Sequence, residues 1–320
     1  MIYRDFLSEQ DFALRMQREV LPYLRARREE GNFKTSDGAS LFTLTYRADE
    51  PRGSVVVLHG MGESAEKYHE LCYYLLKSGL SVFLFDQRGH GRSTREARSG
   101  VVHVKSFDTY ASDFSELIEA KLNALPTPRY LFAHSMGGGV AALYLERGGN
   151  VFEKALLSSP ALRVRVKGAP RTFVRLICAV CCAIGRGNER VHGMREPLPP
   201  EEETMENSSC ASVARFEAYR KVKMSDKRLH SAKPSYAWLR AAMRATPRIL
   251  RAKQLRRVHT LVRVVVAERD HLVEAQASLA FTRGIPCGEI FEVTRARHEI
   301  FNERDDVSHP YFEELLEYFA

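Results

Sequence analysis

Pro128-Arg-Tyr-Leu-Phe-Ala-His-Ser-Met-Gly-Gly-Gly139 decides how this 320-residue chain is read. Tyr130 to Ala133 is a short apolar run of the kind that forms a buried strand. His134 to Gly138 is a turn of small and polar residues. Val140 to Arg147 then carries a helical pattern, stopped by Gly148-Gly149. A serine at a tight strand-to-helix turn is a nucleophile elbow: the turn lifts the Ser135 hydroxyl off the sheet edge. The residues two before and two after the serine must then be almost free of side chain. Ala133 and Gly137 meet that condition. The Met136 N–H, at the positive end of the following helix, is a candidate oxyanion donor. Read alone, the same text also fits an ordinary glycine-rich turn.

Outward from this turn, strands and helices alternate. Residues 8–30 are expected as one amphipathic helix, with Phe12, Met16, Val20 and Leu24 on one face. Asp37-Gly38, between two alternating runs in 33–47, signals a hairpin. Further strands are expected at 54–58, 80–85, 154–157, 261–267 and 289–293, and helices at 66–77, 108–125, 273–283 and 310–319. This alternation predicts an α/β fold with a mostly parallel sheet and helices on both faces. The pattern stops between Ala161 and Arg257, where the text is basic, proline-bearing and largely helical. The expected division is an N-terminal helix over 1–32, a core of 33–160 with 258–320, and an inserted helical cap over 161–257.

Three residues stand at the carboxyl ends of expected strands, in the order Ser135, Asp270, His298. Open parallel sheets build their sites at those ends. Ser135 is the candidate nucleophile, His298 the base and Asp270 the acid that orients it. Glu268, Asp305 and Asp306 compete with Asp270 for that place. The glycines of His59-Gly-Met-Gly62 permit a bend that turns the Met61 N–H outward as a second oxyanion donor. His59 itself, Asp86 and Arg88 are expected to brace loops. Singly, each triad residue is unremarkable; their order, together with the upstream glycines, makes the pattern specific.

With these motifs the chain resembles the bacterial lysophospholipase and monoacylglycerol lipase branch of the serine α/β-hydrolases. The matching text is His59-Gly-Met-Gly-Glu-Ser64, Asp86-Gln-Arg-Gly-His-Gly-Arg-Ser93, Ala133-His-Ser-Met-Gly-Gly138, Asp270-His-Leu-Val273 and His298-Glu-Ile-Phe301. Ala133, His298-Glu-Ile and Pro234-Ser-Tyr-Ala-Trp-Leu-Arg240 are similar to the lysophospholipase variant in particular. The resemblance spans roughly 33–319. It implies the α/β-hydrolase fold and cofactor-free hydrolysis of a glycerolipid monoester, with a lysophospholipid or monoacylglycerol as substrate. A general carboxylesterase on the same triad, and a non-catalytic lipid-binding protein, are the alternatives. Serine at the elbow excludes the aspartate-nucleophile chemistry of epoxide hydrolases and dehalogenases.

Charge locates the partner side. The chain carries a net +8. Residues 161–260 hold 22 Lys and Arg against 8 Asp and Glu, a balance of +14; the remaining 26 and 32 give −6. The excess therefore lies in one segment, which suits a phosphate or an anionic membrane surface. No nucleic-acid motif accompanies it, so no nucleic-acid partner is expected. The apolar run from Phe173 to Ile184 is expected either to line an acyl slot, with Phe173, Ile177 and Trp238 as substrate contacts, or to form the cap's own core. The first residues carry acids and lack an apolar secretory stretch, and no run approaches the roughly 20 residues that span a bilayer. A cytoplasmic location, peripheral on the inner face of the membrane, is the expectation. The six cysteines have irregular spacing without a zinc pattern, so reduced thiols and no metal or other cofactor are expected.

Overall fold

The computed structural model describes residues 2–97, 100–166, 168–194, 197–230 and 232–320. Eight strands form one sheet: β1 (Arg28–Lys34), β2 (Ser40–Tyr46), β3 (Gly53–Leu58), β4 (Leu80–Phe85), β6 (Arg129–His134), β7 (Lys154–Ser158), β9 (Leu261–Ala267) and β10 (Gly288–Val293). Their order is β1-β2-β4-β3-β6-β7-β9-β10. Only β2 runs against its neighbours; every pair from β4 to β10 is parallel. Two short segments, β5 (Val101–Val102) and β8 (Lys233–Pro234), pair separately. With no described strand outside these ten, the α/β reading stands, and the first turn of the sheet is where it needs correction. The expected helix over 8–30 ends at Arg25. It is built of α1 (Phe12–Arg15), a wider π turn over Met16–Val20, and α2 (Leu21–Arg25). Residues 28–34 instead form the edge strand β1, in register with β2 from Arg28↔Tyr46 to Lys34↔Ser40. Hairpin pairing overrode the helical pattern there, because those residues gain a full backbone ladder.

The central strands are apolar on both sides, and their period of two divides the core. On one face Val56, Leu58, Leu131, Ala133, Ala155, Leu157 and Val264 pack beneath α4 (Phe107–Lys121) and α5 (Met136–Glu146). On the other Val55, Val57, Tyr130, Phe132, Leu156 and Val265 meet α3 (His69–Lys77), α11 (Asp305–Tyr318) and the N-terminal helices. Phe12, Met16, Val20 and Leu24 are buried in this second layer, so the apolar stripe was read correctly even where the helix end was not.

Between β7 and β9 the chain adds α6 (Arg171–Ala183), α7 (Val213–Ser225), α8 (Tyr236–Ile249) and α9 (Ala252–Leu255); α10 (Ala275–Gly284) then links β9 to β10. β7 and β9 are neighbours, so this insertion leaves the sheet unbroken. It does not have a separate core. Trp238, Leu239, Ala242 and Met243 of α8 join the cluster over the first face, and the Trp238 ring meets Phe107 edge-on at 5.3 Å. α7 is pinned on the opposite side by Arg215. Its buried guanidinium bonds Glu70 of α3 at 2.9 Å, Asp305 at 2.9 Å and the Leu7 carbonyl oxygen at 3.1 Å. Among the described residues no helix is long and apolar enough to cross a membrane.

Candidate active site

The elbow owes its shape to residues that leave no room for side chains. Ser135 sits at φ 50° and ψ −116°, a conformation that L-residues adopt only when the surroundings enforce it. Its N–H donates to the Ser158 carbonyl at 3.1 Å, and its carbonyl accepts from Ala161 N–H at 2.8 Å. A methyl group on Gly137 would come 2.5 Å from the Leu58 carbonyl oxygen and 2.8 Å from that of His59. One on Gly138 would strike Pro160 at 2.5 Å. Gly137→Ala is therefore expected to destabilise the fold by roughly 1–3 kcal/mol through overpacking against backbone that cannot retreat. A thermal melt checks this; an unchanged midpoint would mean that the turn has space to spare.

Two further parallel strands deliver the acid and the base to the same sheet edge. Asp270 follows β9 and His298 follows β10. His298 Nε2 lies 2.8 Å from Ser135 Oγ, and His298 Nδ1 lies 2.7 Å from Asp270 Oδ2. These partners assign the ring proton to Nδ1 and leave Nε2 to accept the serine proton. The second Asp270 oxygen accepts from the N–H groups of Leu272 at 2.8 Å and Val273 at 3.0 Å. Burial alone would raise the Asp270 pKa, but His298 and the two amides hold the carboxyl below its usual value. It therefore stays ionised beside the ring. The competing acids point elsewhere: Glu268 binds Arg295 N–H, Asp305 binds Arg215, and Asp306 pairs with Arg295.

Ser135, Met136, His298 and Met61 line one cavity of about 530 Å³. Met61 lies beyond β3 and Met136 opens α5, so both candidate oxyanion donors border the space in front of the serine. The bracing residues behave as read. His59 Nδ1 donates to Gly60 O at 2.7 Å, while its Nε2 accepts from Gln87 N–H at 2.8 Å. Asp86 caps the Ala65 and Arg92 amides, and Arg88 grips Asp113 with two nitrogens.

Of the expected substrate contacts, Trp238 lines the cavity, together with Leu239, Phe216 and Val164. Phe173 and Ile177 do not. They are 53% and 37% exposed on the outer side of α6. The reason is helical geometry: α6 turns Cys178, Val174 and Cys182 toward α8 and the core, which leaves 173, 177, 180 and 184 on the opposite face. One face of the run therefore packs into the core, and the face that carries Phe173 and Ile177 lies outside the cavity.

The polar wall of the cavity went unread. Lys67 Nζ, almost wholly buried, bridges Glu63 at 2.8 Å and Glu299 at 2.7 Å. Glu63 also accepts from Tyr68 OH at 2.6 Å and Gly60 N–H at 2.8 Å. Burial alone would lower the Lys67 pKa, yet the two carboxylates hold it above its ordinary value. Burial alone would raise both glutamates; Lys67 holds each below the usual range. Glu63 and Lys67 lie four residues apart, a signal the sequence did contain. Nothing local to the sequence joins them to Glu299.

A family model described as "Serine aminopeptidase, S33" matches residues 49–305. The chain belongs to this family. Over 297 residues this chain is 27% identical to the probable lysophospholipase L2 of Haemophilus influenzae, covering 90% of this chain and 91% of that protein. Over 310 residues it is 27% identical to lysophospholipase L2 of Escherichia coli K12, covering 91% and 87%. A monoacylglycerol lipase of Mycolicibacterium smegmatis is 32% identical over 161 residues, half of this chain and 54% of that one. Among solved structures, a soluble variant of monoglyceride lipase from Saccharomyces cerevisiae superposes with TM-score 0.69 at 20% identity, covering 91% and 95%. The monoacylglycerol lipase of Paleococcus ferrophilus superposes at 0.68 and 23%, covering 87% and 97%. These likenesses show the α/β-hydrolase fold of the S33 chain.

Proposed function

We propose that this chain is a serine hydrolase that cleaves the carboxylic ester of a single-chain glycerolipid, acting as a lysophospholipase. The observation that carries the reading is the relay Ser135–His298–Asp270, with contacts of 2.8 and 2.7 Å, at the base of a cavity with one apolar and one charged wall. Ser135 Oγ attacks the acyl carbonyl while its proton passes to His298 Nε2. Asp270 stabilises the imidazolium, and the Met61 and Met136 N–H groups receive the oxyanion. His298 then returns the proton to the departing glycerol oxygen. Water, deprotonated by the same ring, releases the fatty acid from Ser135. The acyl chain lies along Trp238, Leu239 and Phe216.

The family's description names an aminopeptidase, which must hold a free amine with an unpaired carboxylate. Glu63 and Glu299 line the cavity, but each is already bound to Lys67, and Glu203 pairs with Lys223, so none of the three is unpaired. The monoacylglycerol lipase reading uses the same relay and differs only in the headgroup. Fatty-acid release measured side by side from lysophospholipid and monoacylglycerol, with an amino-acid anilide as third substrate, separates the three. Faster release from lysophospholipid is expected; preference for either other substrate overturns the headgroup assignment.

The same reading divides the chain into a hydrolase core and a cap over 161–257 that roofs the cavity. It extends to a cytoplasmic protein whose basic cap touches an anionic inner membrane surface.

A further inference from the structure

The apolar face of α6 has no partner. Phe173, Leu176, Val180 and Ile184 are 53%, 60%, 49% and 62% exposed, and Ile177 lies among them. Five of the fourteen large apolar side chains exposed among the described residues fall within these twelve positions. Isolated exposed leucines need no explanation, whereas a continuous helical ridge of this kind marks a contact surface.

Beside the ridge runs a second feature. α6 and α8 enclose a groove of about 530 Å³, lined by Thr172, Arg175, Leu176, Ala179, Arg240 and Arg244. None of the three arginines has an acidic partner within 4 Å among the described residues, whereas their neighbours do. Arg163 and Arg171 face Glu274, Arg186 pairs with Glu189, and Arg248 pairs with Asp108. Three uncompensated guanidinium groups lining one groove repel one another unless an anion joins them. Arginine forks match phosphate oxygens. An apolar ridge flanked by such a groove is complementary to one surface in particular: acyl chains below a layer of phosphates.

The geometry points to the outer face of α6 and α8 as the site that docks on an anionic phospholipid bilayer. Leu176 and its neighbours enter the acyl layer, and Arg175, Arg240 and Arg244 take lipid phosphates. α8 links this surface to the catalytic cavity, since Leu239 lines the cavity and the adjacent Arg240 lines the groove. The strap before α6 reaches the cavity as well: Val164 bridges Val273, and Arg165 N–H donates to Leu272 O at 2.8 Å. This inference rests on the membrane contact proposed above and is independent of the ester chemistry.

Co-sedimentation with phosphatidylcholine vesicles, with and without phosphatidylglycerol, tests it, alongside turnover of a water-soluble short-chain ester. The wild type should bind the anionic vesicles and release them as salt rises. Arg175→Glu/Arg244→Glu should weaken binding by at least roughly 30-fold, from about one kcal/mol per basic residue near the surface. Leu176→Ser/Ile184→Ser should weaken it too, with little change in salt dependence. Both double variants should turn over the soluble ester as the wild type does, because their side chains are exposed and lie outside the cavity. Wild-type binding that is absent, indifferent to lipid charge, or unchanged in both variants overturns the docking surface. Loss of soluble-ester turnover in the wild type, with vesicle binding intact, would instead remove the proposed catalytic reading and leave this one standing.

Discussion

Replacing Ser135 by alanine should lower ester turnover by about 10⁶-fold while the protein stays folded. The size follows from how a relay fails. Without the nucleophile, His298 and Asp270 have no proton to move, and loss of one member costs nearly as much as loss of all three. Any residual rate comes from the oxyanion donors and from substrate positioning. Stability should hardly change, because among the described residues the serine hydroxyl hydrogen-bonds His298 alone and the backbone strain at φ 50° is the same for alanine. Labelling by a fluorophosphonate probe reads the same point directly: wild type labelled, Ser135→Ala unlabelled. A folded wild type that resists the probe would end the serine-hydrolase reading, whatever its lipid binding.

The largest stability effect is expected one layer away, at Lys67. Lys67→Met removes the cation shared by Glu63 and Glu299 and leaves two buried carboxylates facing each other. Breaking such a pair from one side costs about 3–5 kcal/mol. The pH dependence follows from the direction of each shift. In the wild type both carboxyls are held below their unfolded value, so their contribution is present above that value, roughly pH 4.3, and fades as pH falls through the folded pKa. In the variant, burial without Lys67 pushes them above the unfolded value. The variant's deficit should then be greatest near about pH 8 and shrink toward about pH 5, as the carboxyls take up protons. Urea melts of both proteins at the two pH values measure it. A deficit independent of pH would mean that water already solvates the glutamates.

How much of this was legible before folding depends on how local each signal is. The strands at 80–85 and 261–267 were read to the residue, because apolar runs bounded by turn residues need nothing beyond themselves. The helix expected over 8–30 was read too long. Its last residues satisfy their backbone by pairing with β2, a partner whose competition no local pattern expresses. Phe173 and Ile177 were placed in the site because they are apolar, and they lie outside it because α6 had already turned its cysteine-bearing face to α8.

The sequence by itself determined the order Ser135, Asp270, His298, the small residues that make the elbow possible, the α/β class, and the +14 balance of one segment. Those are properties of composition and spacing, which survive unfolding. Only the tertiary structure decided that Glu299 meets Lys67 across 232 positions at 2.7 Å, and that three arginines line one groove beside an apolar ridge. Such contacts are made when the sheet edge gathers distant loops, and burial then sets which charges are compensated and which remain for a partner.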